Sequence, residues 1–165
     1  MKHRRTANEQ NQLILRALQG DISHLWIVQA DVEVPSDAFE RLCGLGVDVA
    51  QGVVPRHYDR EALIVGFLDE RMQVWYLPWN AVEGRILSGW VFAGMSCTLI
   101  AQRILEAGFR FRCERGIGED ILFMFDVQKA WFTAKVDCSV LCGHLPEHPL
   151  KPVRLASREN GEGGR

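Results

Sequence analysis

Two acidic residues, Asp31 and Glu33, follow directly after a short apolar run at residues 25–28. Carboxylate oxygens are the ligands that hard divalent cations such as Mg²⁺ and Mn²⁺ prefer. The pair is therefore a candidate metal site. A simpler interpretation also fits, because acids in a solvated loop commonly accept hydrogen bonds from the backbone of a turn.

A second acidic pair, Glu119 and Asp120, follows Gly118 at the predicted start of a helix. A carboxylate held there close to a substrate could act as a general base on a hydroxyl group. The alternative is that both acids only stabilise the first helical turn, where the helix dipole favours negative charge.

His144 lies between Gly143 and a Leu-Pro sequence that restricts the loop around it. Its neutral imidazole could complete a metal site begun by carboxylates. A single histidine is more often a surface residue or a hydrogen-bonded core residue. The prediction therefore depends on what lies near His144 in space.

The elements that must hold these side chains follow from the apolar pattern. Residues 25–28 are continuously apolar, which is typical of a strand buried on both faces in an α/β domain. Ligands of open α/β sheets bind outside the carboxyl ends of the strands. Asp31 lies just past the carboxyl end of this predicted strand. We predict an α/β fold, a mixed sheet flanked by helices.

The spacing of apolar residues and the turn residues predict the remaining elements. Thr6 and Glu9 fit a capping box that would begin the first helix. Two of the predicted strands, 62–68 and 72–77, would form a hairpin around Asp69, Glu70 and Arg71. The predicted helices are 6–19, 37–43, 98–107 and 119–130, and the predicted strands are 25–28, 47–54, 62–68, 72–77, 84–93 and 133–141.

The composition is that of an ordinary globular chain, with 47% hydrophobic residues, 24% charged residues and a formal net charge of −2. This balance gives no electrostatic footprint for nucleic acid. The longest apolar-rich stretch, residues 90–101, is too short and too polar to be a transmembrane segment. We predict one domain over residues 1–156 and a disordered polar tail over residues 157–165.

The five cysteines are an odd number, and no signal-peptide pattern precedes them. We therefore expect reduced thiols and a cytoplasmic location. Cys138 and Cys142 have a CxxxC spacing, but no second ligand pair lies nearby to complete a zinc site. Buried, unligated side chains are the preferred interpretation for this pair.

In their order and spacing, these segments resemble a glycosyltransferase of the GT-A fold, family 2-like, over about residues 8–148. The resemblance rests on a strand leading into an Asp-x-Asp-like motif and a proline, a Gly-rich loop at residues 94–96, a Glu-Asp motif and a closing strand with its histidine. It implies a nucleotide-diphospho-sugar transferase-like fold. The matching segments are 26–35, 51–56, 93–100, 109–111, 118–123 and 136–144.

The resemblance implies a metal site for a divalent cation, Mn²⁺ or Mg²⁺. Asp31 matches the second Asp of the Asp-x-Asp motif, His144 matches the histidine that completes the coordination, and Glu33 would add a carboxylate. The cation would neutralise the diphosphate leaving group of a nucleotide sugar. Gln29 stands where the first Asp is expected, and because an amide brings no charge it weakens the predicted metal affinity.

The resemblance also implies the residues that act on the acceptor. Asp120 matches the general base of inverting members, which takes the proton of the acceptor hydroxyl, and Glu119 would support it or bind the acceptor. Small residues in the Gly-rich loop would let the backbone approach the sugar closely. The residues that would bind donor or acceptor are Gln29, Arg56, Gly94, Met95 and Ser96.

The chain is predicted to be a truncated member of this fold. Only one helix precedes the Asp-x-Asp-like strand, so the N-terminal nucleotide-binding half would be missing. The sheet would then have an unpaired edge, which a homodimer, a partner chain or the first helix would cover. Aromatic residues could stack on sugars or close such an interface, or they could simply pack in the core. These residues are Trp75, Tyr76, Trp79 and Trp90.

Three interpretations stay open. The first is a metal-dependent glycosyltransferase of hexosyltransferase type, with a nucleotide-sugar donor and a carbohydrate or other hydroxyl acceptor. The second is a catalytically decayed protein of the same fold that binds a carbohydrate or a partner. The third is a small α/β protein in which the polar clusters coincide by chance, and it predicts that Asp31, Asp120 and His144 lie far apart.

Overall fold

The computed structural model of the protein describes residues 2–56, 59–114 and 116–145. The helices in these ranges are α1 (Lys2–Ala17), α2 (Ala38–Gly44), α3 (Trp79–Val82), α4 (Gln102–Glu106) and α5 (Glu119–Lys129). The strands are β1 (His24–Val28), β2 (Val32–Glu33), β3 (Val49–Val53), β4 (Pro55–Arg56), β5 (Asp59–Leu63), β6 (Gly66–Leu68), β7 (Val74–Tyr76), β8 (Ile86–Ser88), β9 (Val91–Phe92), β10 (Cys97–Ala101), β11 (Ala134–Leu141) and β12 (Gly143–His144).

The central sheet has the strand order β1-β10-β3-β11-β8. β10 is antiparallel to both β1 and β3, whereas β3 and β11 are parallel, so β1, β3 and β11 point in one direction. The predicted α/β fold with a mixed sheet is thus confirmed. The three strands end at one side of the sheet, which we call the carboxyl edge, and begin at the other, the amino edge.

Helices cover both faces of this sheet. Successive residues of β3 alternate between the two cores: Val49 and Val53 contribute to the larger core, which includes residues of α1 and α5, and Ala50 contributes to the core beneath α2. This two-sided burial explains why β3 carries apolar residues on both of its faces. Asn11 attaches α1 to the segment before α5 by exchanging two hydrogen bonds of 2.8 Å with the backbone of Phe111.

The predicted hairpin is confirmed in a shorter form. β6 pairs with β7 and also with β9, which makes a small second sheet. Its turn lacks glycine, and the Asp69 carboxylate closes it instead by accepting hydrogen bonds from the backbone N–H groups of Arg71 and Gln73, at 2.8 and 3.0 Å. The same carboxylate accepts a hydrogen bond of 3.2 Å from the Trp75 indole.

The prediction of one helix over residues 98–107 is wrong in its first half. Cys97–Ala101 forms β10, between β1 and β3, and only Gln102–Glu106 is helical. The residues Thr98, Leu99 and Ile100 are fully buried in the middle of the sheet. Burial on both faces there outweighs their helical spacing. The Gly-rich loop therefore leads into a strand.

Three further predictions need correction. The strand expected over residues 84–93 is split at Gly89 into β8 of the central sheet and β9 of the small sheet, which serve different layers. Thr6 lies inside α1, which begins at Lys2, so the capping box is wrong. The second helix begins at Ala38, one residue later than predicted, with Asp37 at its N-cap.

The predicted tail at residues 157–165 lies outside the described residues. Among the helices of the described ranges, none is long and apolar enough to cross a membrane.

Candidate functional site

The segment that carries Asp31 and Glu33 lies directly beside the segment that carries His144. β2 and β12 form an antiparallel pair in which Glu33 faces Gly143 and His144 faces the residue before Glu33. The Leu145 backbone N–H extends this pairing by donating to the Asp31 carbonyl oxygen at 2.8 Å. Asp31 and Glu33 thus lie beside the backbone of His144, which is distant in sequence, at the carboxyl edge.

The side chains of these three residues have the donor chemistry of a divalent-cation site. Asp31 and Glu33 are exposed carboxylates, and His144 is partly buried. Two carboxylates and an imidazole suit Mn²⁺ or Mg²⁺ in ligand type. No three His, Cys, Asp or Glu side chains of the described residues are grouped as a metal site. Because His144 pairs with Val32, its side chain lies on the opposite face of this strand pair from the side chain of Glu33. Binding by all three residues would therefore require a local rearrangement of β2 or β12.

Gln29 is joined to Ser96 of the Gly-rich loop. The Gln29 backbone N–H donates to the Ser96 carbonyl oxygen at 3.0 Å, and the Ser96 hydroxyl donates to the Gln29 side-chain oxygen at 2.9 Å. The Gln29 carbonyl accepts a hydrogen bond of 3.0 Å from the Val32 N–H, which closes a turn containing Asp31. Two segments predicted to bind the donor or acceptor therefore meet at one point of the carboxyl edge.

Gln51 is a supporting residue that its sequence does not predict, and it hydrogen-bonds to the Gly-rich loop from β3. It is fully buried in β3, and its side-chain oxygen accepts a hydrogen bond of 3.1 Å from the Ala93 N–H. Its side-chain nitrogen donates to the Gly94 carbonyl and to the Thr98 hydroxyl. An amide that satisfies buried backbone groups fixes a loop firmly. The sequence feature that indicates this role is a single amide side chain in an otherwise apolar strand.

The strands beside this loop approach closely at Gly52. A Cβ atom there would lie 2.8 Å from the Val140 side chain, 3.0 Å from the Val140 carbonyl oxygen and 3.2 Å from the Cys97 sulfur. Only glycine fits without a shift of the neighbouring backbone. Val140 belongs to an irregular stretch of β11, between Asp137 and Leu141, that leads into β12. Gly52 therefore supports the strand end that carries His144.

The second acidic pair begins α5, as predicted. Glu119 is buried, and the Cys113 thiol lies 3.9 Å from its carboxylate. Asp120 is partly exposed, and its carboxylate accepts a hydrogen bond of 2.8 Å from the Ile121 N–H. α5 packs on the sheet, and a short connection joins its end to the start of β11 at the amino edge. The first turn of α5 therefore faces the carboxyl edge.

The remaining candidate residues lie on the same side of the sheet. Arg56 ends β4, just past the carboxyl end of β3. Gly94, Met95 and Ser96 connect β9 to β10, with a φ of +72° at Gly94. Met95 is itself buried in the core, so its contribution to a binding surface would be through its backbone.

Cys138 and Cys142 are both buried, but they belong to cores on opposite faces of the sheet. Cys142 contacts the Cys97 thiol instead, and this hydrogen bond, together with burial, raises the pKa of Cys142. Burial and the Asp137 charge raise the pKa of Cys138 to about 11. Both thiols therefore stay protonated at neutral pH and act as small core residues.

The geometry defines the class of the fold, a mixed α/β domain whose mixed sheet is covered by helices on both faces. The crystal structure of A197 from STIV is similar to this fold, with a TM-score of 0.60 and 20% sequence identity. The similarity covers 86% of this chain and 68% of that chain. At this identity the likeness concerns the fold alone. No protein-family model matches the chain, and no curated protein gives a significant match.

Proposed function

We propose that the carboxyl edge is the active site of a metal-dependent glycosyltransferase, which moves a sugar from a nucleotide-diphosphate donor to an acceptor hydroxyl. The pairing of β2 with β12 carries the proposal, because it joins the segments of Asp31, Glu33 and His144. The Gln29–Ser96 contact brings the Gly-rich loop to the same edge. The GT-A resemblance of these segments supports the same function.

Asp31, Glu33 and His144 would hold the divalent cation at the donor end of the site. A bound cation supplies charge neutralisation for the diphosphate leaving group. Asp31 and Glu33 are exposed, so their carboxylates can turn toward a ligand without leaving a buried contact. Gln29 is neutral, and its amide nitrogen can donate a hydrogen bond to a ribose hydroxyl or a phosphate oxygen.

Asp120 is the candidate base for the acceptor. The hydrogen bond from the Ile121 N–H orients its carboxylate at the start of α5. In the proposed step, the acceptor hydroxyl gives its proton to Asp120 while its oxygen forms the bond to the anomeric carbon. The bond from that carbon to the diphosphate breaks at the same time, and the configuration inverts. Glu119, buried beside Cys113, would support the acceptor side of the site.

Calorimetric titration with UDP-glucose and GDP-mannose, with and without Mn²⁺, tests the proposal. We expect Mn²⁺-dependent binding of at least one donor, and a loss of about tenfold or more in Asp31→Asn. Asp21→Asn is the matched control, since Asp21 is an exposed acid before β1 at the amino edge. Asp120→Asn should bind the donor but not transfer the sugar. A folded protein that binds neither donor under any of these conditions contradicts the proposal.

A carbohydrate-binding protein that does not transfer sugar is the second candidate. The observation that favours it is Gln29, whose side-chain oxygen is engaged by Ser96 where a metal-binding carboxylate would be expected. This alternative predicts carbohydrate binding without added metal. It also predicts the same binding in Asp120→Asn as in the wild type, and no turnover in either.

A further inference from the structure

Trp131 is the most exposed large apolar residue in the described part of the chain, at 92% exposure. Its backbone has a φ of +67°, in the left-handed region that bulky residues rarely adopt. Its N–H donates to the Gln128 carbonyl at 3.0 Å, at a position just after a helix where glycine is the usual residue. The fold therefore favours glycine here, and the indole contributes almost no burial in return.

Trp131 and Trp90 line two adjoining hollows of about 460 and 660 Å³. Both residues contribute to both hollows, so we treat them as one groove and call it the Trp groove. Trp90 is held by an edge-to-face contact with Phe125, with ring centroids 5.6 Å apart and an interplanar angle of 72°. The volumes and aromatic lining are those of a small-ligand site.

The smaller hollow of the Trp groove is lined by Gln128, which is 5% exposed. The Gln128 side-chain nitrogen donates to the carbonyl oxygens of Val91 and Met124, at 3.1 and 3.0 Å. Its side-chain oxygen is buried and has no hydrogen-bond donor among the described residues. A buried acceptor without a donor is unfavourable. This oxygen is enclosed, so the contribution of Gln128 to the smaller hollow is a polar side chain that its two hydrogen bonds hold in place.

The larger hollow offers charges of both signs, from Asp69, Glu70 and Lys129. Carboxylates accept hydrogen bonds from hydroxyl groups, and an ammonium group donates to them. The mixture disfavours a strongly charged ligand such as a phosphate and suits a neutral molecule with many hydroxyl groups. A sugar ring also has an apolar C–H face that can pack on the flat indole of Trp131.

We propose that the Trp groove binds a neutral oligosaccharide, with successive rings in its two hollows. The groove lies at the amino edge, since Trp131 shortly precedes β11 and Trp90 follows β8, whose Ser88 pairs with Lys135 near the start of β11. It is therefore separate from the candidate transfer site at the carboxyl edge. The proposal does not depend on sugar transfer at that site.

Binding to an array of neutral oligosaccharides of glucose, galactose, mannose and N-acetylglucosamine tests the proposal, followed by titration of the best ligand. Trp131→Gly should weaken that binding by about tenfold or more, while its thermal midpoint equals or exceeds that of the wild type, because glycine suits the φ of residue 131. Trp131→Phe should retain part of the affinity. Phe39→Ala is the matched control, since Phe39 is 41% exposed on α2 and lines neither hollow of the groove.

The proposal is overturned if the wild type binds no glycan of the array, or if Trp131→Gly binds as the wild type does. It is also overturned if Trp131→Gly changes only the oligomeric state, measured by light scattering, because the indole would then serve a protein contact. Asp31→Asn separates this proposal from sugar transfer. That variant should keep the glycan affinity of the Trp groove whether or not it loses nucleotide-sugar binding.

Discussion

The two edges of the central sheet hold aspartate in opposite ways. At the amino edge Asp48 is 1% exposed, and its carboxylate accepts hydrogen bonds from the N–H and the hydroxyl of Thr133, both at 2.7 Å, and from Arg103. At the carboxyl edge Asp31 is exposed in a turn, and the hydrogen bond from Leu145 goes to its backbone carbonyl. The first carboxylate serves the fold, and the second is left accessible to a ligand.

Among the variants that test this comparison, Asp48→Ala should cause the largest loss of stability. It removes the acceptor for the Thr133 N–H and leaves two groups of Thr133 without their partner. We expect a loss of about 3 kcal/mol in the free energy of unfolding. Most of this comes from Thr133, because the Arg103 side chain is 66% exposed and contributes little. Urea unfolding followed by circular dichroism measures it, and a loss near zero would contradict the assigned role.

Gly52→Ala should have the next largest effect, since it tests the strand end that carries His144. The added methyl group would meet both the side chain and the carbonyl of Val140, so the backbone must shift. We expect a loss of about 2 kcal/mol in unfolding free energy. Gly44→Ala is the matched control, because no atom lies within 4 Å of the corresponding position. Equal unfolding free energies for the two variants would remove the role of Gly52.

The lowered pKa of Asp48 should also make the stability of the protein depend on pH in acid, which is a smaller effect than that of Asp48→Ala. Burial acts to raise the pKa of Asp48, but hydrogen bonds from Arg103 and Thr133 outweigh it and hold the pKa below 3.8. The group therefore contributes its full stabilisation above that pH and loses it as the pH falls through the lower, folded value. Asp48→Asn has no such titration, so its stability should fall less steeply with acid. Thermal unfolding across this range compares the two, and identical slopes would contradict the lowered pKa.

The parts of the fold that could be predicted are those whose sequence carries one strong signal. β1 and most of β3 are apolar runs, β11 has apolar residues at alternate positions, and α5 has both an acidic first turn and helical spacing. The sequence of β10 predicts a helix because its apolar spacing also fits a helical face. Its position between β1 and β3 decides its conformation, and that position is set by long-range pairing.

The sequence predicts the residue types of the candidate site, but not the backbone pairing and the buried side chain that hold it in place. Ligand chemistry and the resemblance both suggest a shared metal site for Asp31 and His144, but nothing in their local sequence indicates that β2 and β12 meet. The role of Gln51 does not follow from the sequence, because its partners, the backbone of Ala93 and Gly94, are brought to it by the pairing of β3 with β10. The role of a buried amide depends on which backbone groups lie opposite, and sequence does not specify this.

Asp31→Asn should have the smallest effect on stability. Its carboxylate is exposed, and the turn is held by backbone bonds from Val32 and Leu145 that the substitution leaves intact. We expect the free energy of unfolding to change by less than about 0.5 kcal/mol, measured in the same urea titration as Asp48→Ala. If Asp31→Asn destabilised the protein as strongly as Asp48→Ala, Asp31 would be a structural residue. The contrast between the two edges would then fail, and with it the reason to place ligand chemistry at Asp31.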